Sequence, residues 1–162
     1  RKPRPSTINQ WWGIDMTKVM TASGWAYVVL VVDWYSKKVV GHYCGAQSKT
    51  WHWLAALNKA VNRQFPGGIW EAETELNLMS DNGSQPTSRS FMETCAGLGI
   101  KQTFTAYNNP KGNADTERMM RTLKEELCWL REWQSVDELK TALDIFVEDF
   151  NSSYLHSAIG YK

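Results

Sequence analysis

The stretch "WAYVVLVVDWYSKKVVGHYC" (25–44) decides the fold class of this chain. An almost continuous apolar run at 25–35 is followed by the polar turn "SKK" (36–38) and by a second apolar run at 39–44. Runs that are rich in β-branched and aromatic residues and separated by a short turn are typical of paired strands. We therefore predict an antiparallel hairpin here.

The segment before the hairpin predicts a third strand. "QWWGIDMT" (10–17) alternates, with Trp12, Ile14 and Met16 on one face. Alternation with a period of two is the pattern of a strand, and "TASG" (21–24) supplies a turn into the hairpin. The three predicted strands form an antiparallel meander.

After residue 49 the apolar pattern changes to the period of helices. Ser48 is the predicted cap of the first helix, and Ser135 with Glu138 forms a capping box for the last. Helices that alternate with short strands favour parallel pairing of the later strands, so we predict an α/β fold with a mixed sheet. The predicted helices cover 49–64, 87–97, 114–132 and 135–151, and the predicted strands cover 76–80 and 99–104.

Composition predicts one soluble globular domain. The chain has 162 residues, of which 43% are hydrophobic and 22% are charged. No apolar run reaches the roughly 18 residues that a membrane span needs, and no signal-peptide pattern is visible. The three cysteines are far apart and lack zinc-ligand spacing, which predicts buried free thiols in a reducing cytosol.

The beginning of the chain is basic and contains proline. "RKPRP" predicts that residues 1–9 are an arm or linker ahead of a core at 10–162. Both a solvated leader and a DNA contact fit this pattern. Because the chain starts without Met, we interpret it as part of a longer protein. The net charge of +1 neither favours nor excludes a nucleic-acid partner.

Asp15 is an anomaly in the first predicted strand. It lies between Ile14 and Met16, although aspartate is depleted in strands. A buried carboxylate needs a partner or a metal, because unpaired burial of its charge costs several kcal/mol. The alternative is an aspartate on the solvated face of an edge strand.

Two further acids stand at element boundaries. Asp81 follows a short buried strand and opens "DNG", which is also ordinary turn chemistry. Glu117 lies in the first turn of a predicted helix, where any acid is favourable to the helix dipole. Helical geometry places Arg121 and Lys124 on the face of Glu117, and a simple Glu117–Arg121 pair would also explain that arrangement.

The separation of Asp81 from Glu117 is 35 residues, at 82–116. With this spacing the chain resembles the retroviral-integrase catalytic core family, especially its insertion-sequence transposases, whose signature is two Asp and one Glu. One departure is visible at 153–155, where many relatives carry an arginine and this chain has Ser-Tyr-Leu. The resembling segments, in order, are "WWGIDMT", "VVLVVDWYSKKVVGHY", "LMSDNGSQPTS", "NPKGNADTERMMRTLKEEL" and "FNSSYLHSAIGY".

The resemblance implies a ribonuclease-H-like fold. Its sheet has five strands, an antiparallel three-strand meander plus two parallel strands, and is flanked by helices. The Asp15 strand is central, the Asp81 strand lies beside it, and the Glu117 helix packs across them. Asp15, Asp81 and Glu117 are then the catalytic residues and the ligands of two Mg²⁺ or Mn²⁺ ions, which prefer oxygen donors.

The implied activity is metal-dependent cleavage of DNA at the end of a mobile element, followed by strand transfer into a target. The implied partners are element ends and target DNA, with a homodimer or larger assembly and no membrane, in the bacterial cytoplasm at the nucleoid. For Asn82 and Gln85, bracing of the turn is an equal alternative to DNA contact. The expected DNA-contacting residues are Arg121, Lys124, Asn82, Gln85, and, in the polar loop at 106–113, Lys111 and Asn113.

Two alternatives fit the same residues. A ribonuclease-H-like nuclease would use the same acids for cleavage without joining. A catalytically silent DNA-binding or assembly module would not need the acids, and the presence of all three argues against it.

Overall fold

The computed structural model describes residues 3–105 and 110–158, without the side chains of 110, 111 and 154–158. Part of the predicted polar loop, at 106–109, and the last four residues of the resembling terminal segment, at 159–162, lie outside the described residues. So does the beginning of the predicted basic arm, at residues 1 and 2.

A five-stranded mixed sheet organises the chain, in the order β3-β2-β1-β4-β5. β1, β2 and β3 pair antiparallel, whereas β4 runs parallel to β1 and β5 runs parallel to β4. The predicted meander and the two parallel strands are confirmed. The strands are β1 at Trp11–Thr21, β2 at Gly24–Asp33, β3 at Val39–Gly45, β4 at Asn77–Ser80 and β5 at Lys101–Phe104.

Helices cover both faces of this sheet. The predicted helix at 114–132 is wrong in its length, because regular α-helix ends at Leu123 and a π-helical turn follows at Lys124–Cys128. Short 3₁₀ turns lie at Ile69–Glu71 and Pro110–Asn113. The α-helices are α1 at Thr50–Gln64, α2 at Arg89–Gly97, α3 at Ala114–Leu123 and α4 at Val136–Ala158.

The sheet separates two hydrophobic cores. Trp12 and Ile14 of β1 pack with α1 and α2 on one face. Leu30 of β2 packs with α3 and α4 on the other, where Asn151 ties α4 to the edge strand. The Asn151 side chain accepts from the Val39 N–H at 3.0 Å and donates to the Val39 carbonyl at 2.9 Å. Alternate residues of β1 therefore face different helical layers.

Two predicted helix caps differ from the observed ones. Lys49, not Ser48, is the cap residue of α1, while the Ser48 hydroxyl contacts the Met16 sulfur and accepts from Trp53 Nε1 at 3.2 Å. At α4 the Glu138 N–H donates to Ser135 Oγ at 3.1 Å, as predicted. The Glu138 carboxylate, however, accepts from the backbone N–H of Gln134 instead of Ser135.

The predicted buried free thiols are confirmed. Cys44, Cys95 and Cys128 are free and buried, and burial raises the pKa of these thiols to about 12, about 12 and about 11 respectively. In the described part of the chain, no helix has both the length and the apolar character that a membrane crossing needs.

Candidate active site

Asp15 is half-buried on β1, on the face that α3 covers. Burial raises the pKa of its carboxyl to about 6, and the 2.8 Å bond from the Met16 N–H opposes that rise. The negative charges of Asp81 and Glu117 contribute to this rise, and the positive charge of Lys124 opposes it. Charged groups from other parts of the chain therefore act on Asp15.

Asp81 reaches this place through the parallel pairing of β1 with β4. Gly13 pairs with Met79, so Asp15 and Asp81 each lie two residues beyond the same rung of the sheet. Asp81 is exposed, and its carboxylate accepts from the Gly83 N–H at 2.9 Å. Asp81 thus shapes its own turn in addition to facing the rim of the sheet.

Gly13 allows α3 to approach β1 closely. A Cβ on Gly13 would lie 2.7 Å from Trp34 Nε1 and would overlap Thr116 Oγ1. Trp34 Nε1 donates to Thr116 Oγ1 at 2.9 Å, between two fully buried side chains. Because Glu117 follows Thr116, this contact fixes the first turn of α3 beside the Asp15 strand.

An ion pair between Lys37 and Asp115 supports the same turn. Lys37 Nζ lies 3.0 Å from Asp115 Oδ1, and the Asp115 side chain is 2% exposed. Arg118 lies 3.9 Å from the same oxygen. The buried carboxylate thus joins the β2–β3 turn to the N-terminus of α3, where an acid also complements the helix dipole.

Among the described residues, none of the three acids forms an ion pair with a base. None of the ion pairs between described residues includes Asp15, Asp81 or Glu117. The simple Glu117–Arg121 pair, the alternative explanation of that helix face, is therefore not formed. The described residues also contain no group of three or more His, Cys, Asp or Glu that could hold a metal ion as the side chains now stand.

The donor set nevertheless fits a hard divalent cation. It consists of carboxylates alone, and oxygen-only ligation suits Mg²⁺ or Mn²⁺. The pKa of Asp15 is raised mainly by burial and, to a smaller extent, by the negative charges of Asp81 and Glu117. A cation at this rim would relieve the repulsion.

Residues 5–110 match the family model described as "Integrase core domain", and residues 98–162 match a second model with the same description. The chain belongs to the integrase core domain family. A protein of insertion sequence element IS986/IS6110 from Mycobacterium tuberculosis (strain H37Rv) is 29% identical over 99% of this chain and 58% of its own length. The transposase of insertion sequence element IS904 from Lactococcus lactis is 27% identical over 98% of this chain and 64% of its own length. The chain thus spans less than two thirds of these relatives.

Solved integrase structures share the fold of this integrase core. The simian T-cell lymphotropic virus intasome with a PP2A subunit aligns with a TM-score of 0.62 at 20% identity, over 88% of this chain and 50% of that one. The HTLV-2 integrase catalytic core domain with magnesium (trimeric form) gives 0.59 at 20% identity, over 95% and 87% of the two chains. The ribonuclease-H-like fold is therefore confirmed.

The other predicted site residues of the integrase core differ in accessibility. Arg121 is exposed and Lys124 is half-buried. Gln85 is half-buried and donates to the Ser48 carbonyl at 2.8 Å, whereas the exposed Asn82 makes a longer bond of 3.4 Å to the Thr105 carbonyl. Both amides thus brace the Asp81 turn, and DNA contact by either stays a prediction.

The other two predicted DNA contacts, Asn113 and Lys111, belong to the predicted polar loop. Asn113 is 5% exposed, and its Oδ1 is buried without a hydrogen-bond partner. The side chain of Lys111 lies outside the described residues. DNA contact by these residues also stays a prediction.

The sequence analysis did not identify the residues that hold α3 against β1. The signal that pointed to them is Gly13, since a glycine inside a strand often marks the close approach of another backbone. Nothing local in the sequence pairs Trp34 with Thr116, or Lys37 with Asp115, because 82 and 78 positions separate the partners.

Proposed function

We propose that this chain is the catalytic core of a DNA transposase, which cleaves a phosphodiester at the end of a mobile element and transfers the freed strand to a target. The observation that carries the proposal is the shared electrostatic environment of Asp15, Asp81 and Glu117. The charges of Asp81 and Glu117 act on a partly buried Asp15, and none of the three acids forms an ion pair among the described residues; this arrangement favours a common cationic ligand over a stabilising role.

Asp15, Asp81 and Glu117 would hold two Mg²⁺ or Mn²⁺ ions, which in such sites activate the attacking oxygen and stabilise the leaving oxygen. The charges of both other acids act on Asp15. By resemblance to the integrase family, Asp15 would serve both ions, Asp81 one and Glu117 the other.

The chemistry needs no protein nucleophile. Water attacks phosphorus in the first step and breaks the P–O bond that releases a 3′-hydroxyl. That 3′-hydroxyl attacks a phosphodiester of the target in the second step, which forms one P–O bond and breaks another. The exposed Arg121 and the half-buried Lys124, on the same helix as Glu117, would hold the DNA backbone beside the reacting phosphate.

The proposed partners are the ends of a mobile element and a target DNA. Joining two DNA ends in one event calls for a homodimer or a larger assembly. The compartment that fits this substrate is the bacterial cytoplasm, with the protein at the nucleoid when it is bound to DNA. The transposase name of the Lactococcus lactis relative supports this proposal.

The test of the site is Asp81→Asn in a nicking assay with Mn²⁺ and a labelled DNA end. We expect nicking to be lost, while far-UV circular dichroism and DNA binding are retained, because Asp81 is exposed. Asp149→Asn, which changes an exposed acid of α4, is the matched control. Nicking by Asp81→Asn at the wild-type rate would overturn the site assignment.

A second assay separates the transposase from a nuclease of the same fold. DNA ends that already carry a free 3′-hydroxyl are incubated with the wild-type chain, Mn²⁺ and a plasmid target. A transposase core gives joined product. Cleavage of uncut ends without joined product would favour the nuclease.

A further inference from the structure

A groove lies along β1 beyond Asp15. Its volume is about 740 Å³, within the range of about 300–1,000 Å³ that is typical of ligand sites. One wall is the second half of β1, from Thr17 to Ala22, and the other runs from Lys124 to Gln134. The link between the groove and the candidate acid site is Lys124, which lines the groove and whose charge acts on Asp15.

The groove follows an open strand edge. The pairing of β1 with β4 is limited to Trp11–Gly13 of β1. Beyond Gly13, in the described part of the chain, this edge of β1 has no partner until Thr21 bridges to Trp133. There the Ala22 N–H donates to the Trp133 carbonyl at 2.8 Å. The contacts of Thr21 and Ala22 with Trp133 therefore close one end of the groove. Between that end and Gly13, the edge of β1 has no strand partner among the described residues.

Positive charge lines this groove. Lys18, Lys124 and Arg131 contribute cations, and Glu132 is the only acid among the described lining residues. Lys18 Nζ lies 4.3 Å from the ring centroid of Trp25. The Arg131 guanidinium lies 4.1 Å from the ring centroid of Trp133. The Trp133 ring thus holds the Arg131 cation at the groove, whereas Trp25 belongs to β2 and lies outside the groove lining, so its ring draws the Lys18 ammonium towards β2.

Trp129 adds a large flat surface to the same groove. Its side chain is 69% exposed, although tryptophan normally buries most of its area. It follows the π-helical turn directly, and among the described residues it stacks on no other ring. A free aromatic face beside several cations is the arrangement with which proteins bind unpaired nucleotides, since bases stack on the ring and phosphates pair with the cations.

We propose that this groove binds a short unpaired stretch of DNA next to the scissile phosphate, with a base on Trp129 and phosphates at Lys124 and Arg131. The inference rests on the proposed function, which supplies the DNA end. An open strand edge would also suit an added protein strand. The cations and the continuity with the acid site favour DNA.

The test compares Trp129→Ala and Arg131→Gln with matched controls in the full 162-residue chain. Trp70→Ala removes another exposed tryptophan, which is 79% exposed and lies outside the groove. Arg63→Gln removes an arginine that, like Arg131, lies 3.7 Å from a glutamate oxygen. Circular dichroism melts of all four variants establish that each is folded.

Binding is measured by fluorescence anisotropy in EDTA, with a labelled blunt duplex and with the same duplex carrying a three-nucleotide single-stranded tail. We expect Trp129→Ala to weaken binding of the tailed DNA about 5- to 100-fold, while its binding of the blunt duplex stays near wild type. Arg131→Gln should lower the slope of log affinity against log salt by about 0.7 on the tailed DNA. Both control variants should match wild type.

Equal binding of tailed DNA by the groove variants and the controls would overturn the inference. Equal losses on tailed and blunt DNA would overturn the assignment to unpaired nucleotides. Self-association that Trp129→Ala abolishes in sedimentation velocity, with unchanged DNA affinity, would assign the groove to a protein strand instead. If wild type nicks DNA with Mn²⁺ while the groove variants behave as controls, only this inference fails. If wild type neither nicks nor binds DNA, the proposed function and this inference both fail.

Discussion

The carboxyl of Asp15 is destabilising in its ionised form. Its pKa is raised from 3.8 to about 6, first by burial and then by the charges of Asp81 and Glu117. The native state therefore binds a proton more tightly than the unfolded state does. Between these two pKa values the native state carries more protons, so the free energy of unfolding falls as pH rises. Above pH 6 the full cost is present.

Asp15→Asn should consequently stabilise the metal-free protein at neutral pH. We expect a gain of about 1–3 kcal/mol in the free energy of unfolding at pH 7, relative to wild type, and a much smaller difference at pH 4. Urea denaturation in EDTA at both pH values measures it. Asp149→Asn, at an exposed position, is the control. A gain of the same size at both pH values would show that burial of the charge is not the cause.

Lys124 acts on the same centre from the helical side. Its charge lowers the pKa of Asp15, and its half-buried position next to the groove allows one phosphate contact. Lys124→Ala should weaken binding of duplex ends and reduce the slope of log affinity against log salt by about 0.9. Lys59→Ala, an exposed lysine on α1, is the control. An unchanged slope would show that Lys124 makes no phosphate contact.

The docking of α3 on β1 determines where Glu117 lies. No side chain separates Gly13 from Thr116, and the bond from Trp34 Nε1 closes that contact. Overpacking of such a site costs roughly 1–3 kcal/mol, and more where backbone must move. The contact also links stability to function, because a shifted α3 would carry Glu117 away from the Asp15 strand.

Gly13→Ala should thus reduce both stability and activity. We expect a loss of about 1–3 kcal/mol in urea denaturation, together with a loss of Mn²⁺-dependent nicking in the folded fraction. Gly97→Ala in α2 is the matched control, since a Cβ there meets nothing within 4 Å. A helical Gly-to-Ala change is neutral or slightly stabilising. Wild-type nicking by Gly13→Ala would mean that α3 can be displaced without effect.

Sequence patterns predicted the strands and the order of the elements better than their ends. The long apolar runs of β2 and β3 predict paired strands, and the predicted meander is confirmed. The α-helix predicted at 114–132 ends early, at Leu123, and Leu130 is 71% exposed instead of continuing the apolar stripe. The amphipathic spacing continues past Leu123, but a π-helical turn follows there, which the spacing does not distinguish from α-helix.

The candidate acid site stays a prediction, and local patterns again cover only part of it. The choice of Asp15, Asp81 and Glu117 rests on local patterns, on the spacing of Asp81 and Glu117, and on the resemblance to the integrase family. Their relative orientation depends on the contact of Gly13 with Thr116 and on the buried Lys37–Asp115 pair. These contacts join residues that are distant in sequence, so no periodicity reveals them.

At the scale of the whole molecule, one metal centre would join three separately held segments. Asp15 lies on the central strand, Asp81 follows β4, and Glu117 belongs to α3. Two of the acids now accept local backbone N–H groups, from Met16 and Gly83. A bound cation would exchange part of that local bonding for a bridge between the sheet and the helix.

Mn²⁺ should accordingly raise the melting temperature of the whole domain. A ligand that binds only the native state at 100 times its Kd adds about 2.7 kcal/mol, which corresponds to a rise of about 5–11 °C for a domain of this size. Thermal melts with and without Mn²⁺ should show that rise in wild type and a strongly reduced one in both Asp81→Asn and Glu117→Gln. The two variants remove acids from opposite sides of the proposed bridge, so a loss in only one of them would confine the cation to the sheet or to the helix. Full stabilisation of both variants would place the Mn²⁺ site elsewhere and would leave the proposed chemistry without its centre.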